Sequence, residues 1–206
     1  MSLELYIGFV LASSLILIIP GPTIILVVSQ AITHGRRAVA PLSAGVVAGD
    51  FTAMTLSVLG LGSLLSVSAE LFNALKWLGA LYLIYLGIRL WMTKPAQVEI
   101  QSAVSPGTSR SLFRSSYIVT ALNPKGITFF IAFFPQFVST SGSVGQLFML
   151  GLTFLTLAAV NALAYGLFAG RFNELLQKQA ARRWLNRGGG SALIGAGIVT
   201  AGLKQG

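Results

Sequence analysis

A chain of 206 residues that is 54% hydrophobic and 9% charged is not built for water, because a soluble domain carries charge on about a quarter of its residues. At about 20 apolar residues per spanning helix, this length holds six spans with short connections and excludes a separate soluble domain. The net charge of +9 belongs to the basic loops that orient a membrane protein, since no aromatic-interleaved basic domain is present to grip nucleic acid.

The first apolar segment, about 5–32, follows Met1-Ser2-Leu3-Glu4, which lacks the positive start of a signal peptide. The run behind it is also longer than a signal peptide's apolar core, so the segment is expected to be retained as a span. Pro20-Gly21-Pro22 interrupts it. Two prolines remove two backbone donors and the glycine adds freedom, so a broken helix is predicted. One proline is compatible with a simple kink; Pro-Gly-Pro points to unwound backbone, which hydrocarbon tolerates only against protein or a wet cavity. The half-helix after the break directs the positive end of its dipole there, which suits a carboxylate.

The second segment, about 38–67, contains Asp50, the only acid inside any predicted span. It lies about twelve residues from the predicted cytoplasmic end, at a depth similar to the first break by the ~1.5 Å helical rise. A carboxylate there costs roughly 2.5–3.5 kcal/mol, offset by a cation such as Lys125, by a substrate ammonium or by a proton. A static Asp50–Lys125 pair serving only the fold is the structural alternative. Gly45 and Gly49 precede it with the small-xxx-small spacing of close helix packing, as do Gly166 and Gly170 further on.

A third segment spans about 71–92. The polar stretch 94–110, with Pro95, Ser102, Ser105, Pro106, Gly107 and Ser109, reads as a linker between halves of about 1–93 and 111–206 within one transport domain. The fourth segment, about 112–137, has its own break at Asn123-Pro124-Lys125, again about ten residues or ~15 Å from its cytoplasmic end. Asn161 faces the interior in the fifth segment, about 144–170, where an amide bonded to a neighbouring helix explains it equally well. Between Arg171 and Arg187, Phe172, Leu175, Leu176 and Leu185 recur at helical spacing among basic residues, as in an ordinary orienting loop or a surface helix. A sixth segment, about 188–204, is opened by Gly188, Gly189 and Gly190.

Arg36, Arg37, Arg89, Lys94, Arg110, Arg114, Arg171, Lys178, Arg182, Arg183 and Arg187 fall on three connections, against Lys76 and Lys204 on the opposite side. The positive-inside rule therefore places both termini outside the cytoplasm, a parity that six spans satisfy. Three spans per half force the second half to enter the membrane inverted, as in many transporters. An all-α polytopic bundle of about six transmembrane helices is the predicted fold.

Enzyme chemistry finds no support. The single histidine, His34, falls in a loop, and one intramembrane acid cannot make a two-carboxylate site. With no cysteine and one histidine, neither a thiolate nor a histidine-cluster metal site is available, and no cofactor is expected. A transporter with a small-molecule substrate remains, with a passive channel or a structural membrane subunit as alternatives.

Pro20-Gly21-Pro22, Gly45 through Gly49-Asp50, Lys76 with Gly79-Ala80 and Tyr82-Leu83 to Leu86-Gly87, and Asn123-Pro124-Lys125 followed by Phe129-Phe130 and Pro135-Gln136-Phe137 form an ordered set. In that set the chain resembles the LysE/RhtB family of amino-acid exporters, which includes homoserine, threonine, lysine and leucine efflux types. The resemblance runs from Leu3 to the glycines near the C-terminus and rests more on segment spacing than on motif after Val138. It implies a bacterial cytoplasmic-membrane exporter of amino acids or close derivatives, driven by the proton-motive force; the bilayer is its partner, and whether it forms a homo-oligomer is left open by the sequence. It also implies that Pro20, Gly21, Pro22, Asp50, Asn123, Pro124 and Lys125 are the functional positions. Gly126 stands where the resemblance leads one to expect alanine.

Overall fold

A computed structural model describes residues 1–65, 69–92, 107–137, 144–177 and 179–202. Most of the 94–110 linker, together with Lys94, Lys178 and Lys204, lies outside the described residues, as does the side chain of Lys76. All regular structure among the described residues is helical: α1 (Leu3–Ile18), α2 (Pro22–His34), a 3-10 turn (Arg36–Ala38) leading into α3 (Val39–Leu65), and α4 (Ala69–Met92). Then follow α5 (Ser109–Ala121), α6 (Pro124–Thr128), a π-helical turn (Phe129–Phe133), a 3-10 turn (Phe134–Phe137), α7 (Val144–Leu167), α8 (Ala169–Gln177) and α9 (Gln179–Gly202).

The fold is an all-α membrane helix bundle. Residues Arg36–Gly60 and helix α7 are each long and apolar enough to cross a bilayer, and α1 with α2, bent by 55° at their break, form a third candidate. Leu11, Leu15, Leu56, Leu59, Leu81, Phe148 and Leu152 are exposed on the outer surface, a distribution that acyl chains rather than water can solvate. Inside, an aromatic cluster fixes the π-helical turn: Phe129 and Phe130 lie 5.2 and 4.9 Å from Phe154, and Phe9 lies 5.7 Å from Phe134.

Local chemistry sets the helix ends. Ser2 accepts from Leu5 N at α1 and Thr108 accepts from Ser111 N at α5, each satisfying an orphan donor of a first turn. Gly35 ends α2 with φ +72°, a conformation that favours glycine.

Without a hydrophobic force between helices in lipid, close backbone approach does the packing. A Cβ on Gly49 would lie 2.8 Å from the Tyr117 carbonyl oxygen and one on Gly45 would collide with Ser116 Oγ, so both glycines of α3 serve contact with α5, as their spacing predicts. Gly166 likewise meets Val39, but Gly170 faces open space, because the helix is interrupted at Phe168 between them.

The sixth segment differs from expectation. Gly188–Gly190 do not open it; α9 begins nine residues earlier, at Gln179, and runs through all three glycines. The helix-weakening effect of Gly189 and Gly190, up to ~1 kcal/mol each, is offset by packing. A Cβ on Gly190 would lie 2.6 Å from Gly87 O, and one on Gly197 2.7 Å from Ala80 O, so α9 and α4 touch along their backbones. The stretch after Arg171 is helical too, with Phe172 edge-on to Tyr165 at 4.5 Å.

Candidate functional site

Helix α1 ends in mid-bundle. Ile19 N still bonds Leu15 O, but the carbonyls of Ile16, Leu17, Ile18 and Ile19 have passed the last turn and have no helical partner, a costly state away from water. Side chains of the second half take all four. Lys125 Nζ donates to Ile16 O at 2.9 Å and Ile19 O at 2.8 Å, Asn161 Nδ2 to Leu17 O at 3.1 Å, and Tyr165 Oη to Ile18 O at 2.6 Å. Lys125 thus occupies the negative end of the α1 dipole.

The chain restarts as a helix after Ile19, Pro20 and Gly21. Pro22 is the first residue of α2, where a missing N–H costs nothing. Gly21 supplies no side-chain cap, so the amides of Thr23 and Ile24 start the helix uncapped. Gly21 itself is extended, with φ −116° and ψ −170°. A Cβ there would lie 3.4 Å from Lys125 Nζ, in contact with that side chain.

The second break repeats the plan. Pro124 is the first residue of α6, and Asn123 caps that helix through Oδ1, which accepts from Lys125 N at 3.1 Å. The other end of the same amide donates to Thr23 Oγ1 at 3.1 Å, while Thr120 Oγ1 donates to Thr23 Oγ1 at 3.3 Å. One hydroxyl on α2 therefore ties both breaks together.

Between them lies a cavity of ≈40 Å³, lined by Thr23, Asp50, Asn123, Lys125 and Asn161 among apolar groups such as Phe129. At ~10–15 Å³ of such space per water, it has room for a few waters and not for an amino acid. Asp50 is 7% exposed. No hydrogen bond or ion pair within 4.0 Å joins its carboxylate to another described residue, although it feels the charge of Lys125. The Lys125 ammonium is thus bonded to α1 while it acts on Asp50 through its charge, and the Asp50 carboxylate borders the cavity.

Of the residues singled out in the sequence, Asp50, Asn123, Lys125 and Asn161 line this cavity, and Gly21 borders Lys125. Pro20, Pro22 and Pro124 shape the breaks without lining it. Thr23, Thr120 and Tyr165 were not foreseen. Hydroxyls are common in membrane helices and carry no distinguishing pattern; only the spacing of Tyr165, one turn from Asn161, gave a signal.

The helix breaks and the buried acid all fall within residues 14–202, which match the model of the LysE type translocator family. The chain belongs to that family. It is 32% identical, over the full length of both chains, to a homoserine/homoserine lactone efflux protein of Salmonella typhi. It is also 30% identical to a leucine efflux protein of Enterobacter sp. (strain 638), over 80% of this chain and 78% of that one. No solved structure matches.

Proposed function

We propose that this LysE-type translocator exports small neutral amino acids across the bacterial cytoplasmic membrane, driven by the proton-motive force, by alternating access at the chamber between the two breaks. The observation that carries the reading is the buried, unbonded Asp50 carboxylate facing the same chamber as Lys125 and the uncapped start of α2. An amino-acid zwitterion fits that set: its ammonium meets Asp50, and its carboxylate meets Lys125 and the α2 amides. With one acid and one base in the lining, a charged substrate side chain would have no counter-ion. The relatives named for homoserine and leucine efflux support a neutral side chain.

Coupling follows from the same carboxylate. A bare charge is expensive in mid-membrane, so Asp50 changes sides neutralised, by the substrate ammonium on the outward leg and by a proton on the return. The ≈40 Å³ chamber corresponds to the closed conformation between them. The reciprocal packing of α3 on α5, of α7 on α1 and α2, and of α4 on α9 supports two inverted halves, 1–93 and 111–206, while the reading of six spans with both termini outside the cytoplasm rests on the basic residues of the connections.

The test is export from proteoliposomes loaded with labelled leucine or homoserine. An inward proton gradient should drive net uphill export, and Asp50→Asn should lower coupled export on the order of 100-fold, the scale of 2.5–3.5 kcal/mol. Downhill flux indifferent to the gradient would mark a channel, no flux a structural subunit, and full coupling in the variant would remove Asp50 from the mechanism. Because the chain has no cysteine, orientation is tested by single substitutions: Ser2→Cys should react with an impermeant maleimide in intact cells and Ser109→Cys should not.

A further inference from the structure

Where α4 ends and α9 begins, an open groove of ≈620 Å³ lies among Trp91, Arg183, Trp184, Arg187, Gly188 and Ser191. It is separate from the chamber, sharing no lining residue with it. Trp91 forms a fixed wall: its indole N–H donates to Ser191 Oγ at 3.1 Å, and the Arg187 guanidinium lies 5.2 Å from its ring centroid, within cation–π range. Arg183, Arg187 and Ser191 follow at four-residue spacing and share one face of α9. Trp184 is 80% exposed on the rim. Gly188 leaves the floor open, since a Cβ there would meet nothing within 4 Å.

Three features define the occupant. The lining holds two guanidinium groups and no acid, so it is anionic. The groove lies where α9 passes from charged residues into its apolar run and where α4 finishes. That level is the headgroup layer, where tryptophan is enriched. Two indoles, Trp91 and Trp184, stand in the lining, so part of the occupant is apolar. We propose that this groove binds one anionic phospholipid, its phosphate held by Arg183 and Arg187 and the start of its acyl chains lying against the two indoles.

Bromine on an acyl chain quenches nearby tryptophan, giving a readout independent of transport. The purified Trp77→Phe variant, whose remaining tryptophans are Trp91 and Trp184, is reconstituted in phosphatidylcholine vesicles in which a rising fraction of lipid is either brominated phosphatidylglycerol or brominated phosphatidylcholine. The phosphatidylglycerol should quench at a lower mole fraction. Replacing Arg183 and Arg187 together by glutamine should raise its half-quenching fraction roughly thirtyfold, the scale of two arginines at headgroup level. Gly188→Phe should do the same by filling the groove while keeping every charge. Arg36→Gln with Arg37→Gln removes equal charge elsewhere and should preserve the preference. Equal quenching by the two lipids, an equal loss in the Arg36/Arg37 variant, or no change in Gly188→Phe would each overturn the site. So would absence of quenching by either lipid, the result expected if a second copy covers the groove.

Discussion

Helices α2 and α6 both restart a broken span with proline as their first residue, yet α2 begins without a side-chain cap while Asn123 caps α6 at the Lys125 amide. The preceding helix ends differ as well. The α1 carbonyls depend on Lys125, Asn161 and Tyr165 from the other half, whereas α5 closes on itself, with Leu122 N bonded to Ile118 O and Asn123 N to Thr120 O. In backbone closure one break is therefore self-contained and the other is held from across the bundle, while Thr23 bonds side chains of both. Donors left over at the dependent break, the first amides of α2, are the ones available to a ligand carboxylate. Movement of the halves apart would expose the end of α1 and leave α5 and α6 intact.

The largest effect tests that dependence directly. Lys125→Met strips the donor from two carbonyls in a low-dielectric setting, at about 1–3 kcal/mol for each acceptor left unsatisfied. At roughly 2–4 °C per kcal/mol for a chain of this size, thermal unfolding in detergent should start several degrees lower, and liposome export should be lost. An unchanged melting temperature would mean that the first break does not need the second half. Asn123→Ala should cost less, about 1 kcal/mol for the lost cap plus the bond to Thr23, and Asn123→Ser should recover most of the cap. A loss as large as that of Lys125→Met would erase the distinction between the breaks. Smaller again is Tyr165→Phe, which removes one interhelical hydrogen bond, worth about 0.6 kcal/mol on average in membranes. The ring keeps its 4.5 Å contact with Phe172, so a shift of only one or two degrees is expected.

Much of this was legible beforehand because lipid makes certain residues conspicuous. A lone intramembrane acid, a double proline and an Asn-Pro-Lys in apolar runs announce themselves against hydrocarbon, and equal depth from the basic loops brought Asp50, Lys125 and the breaks to one level. The bond made by Lys125 was not legible. A charge count favours Asp50 as partner, but helix-end carbonyls are backbone groups present at every residue, and only the fold determines which are orphaned. Gly188–Gly190 failed as a boundary for a related reason. A glycine run reads as a helix breaker until the partner backbone that requires it, here Gly87 on α4, is in place.

The smallest effect concerns Gly126, on the self-contained side of the comparison. A Cβ there would lie 3.9 Å from both Asp50 Oδ1 and the Phe130 ring, which is ordinary contact, so Gly126→Ala needs no rearrangement. Alanine in place of glycine favours the helix by up to ~1 kcal/mol, and α6 is only five residues long. The variant should therefore melt slightly higher. Its methyl also narrows the wall beside Asp50, so transport separates two descriptions of the chamber. If solute enters only after the halves part, as a closed space of ≈40 Å³ requires, one methyl in the closed form leaves export of leucine and homoserine unchanged. A selective loss of the bulkier leucine would mean instead that the wall at Gly126 still bounds the solute in the open form, making α6 part of the selectivity surface rather than only the holder of Lys125.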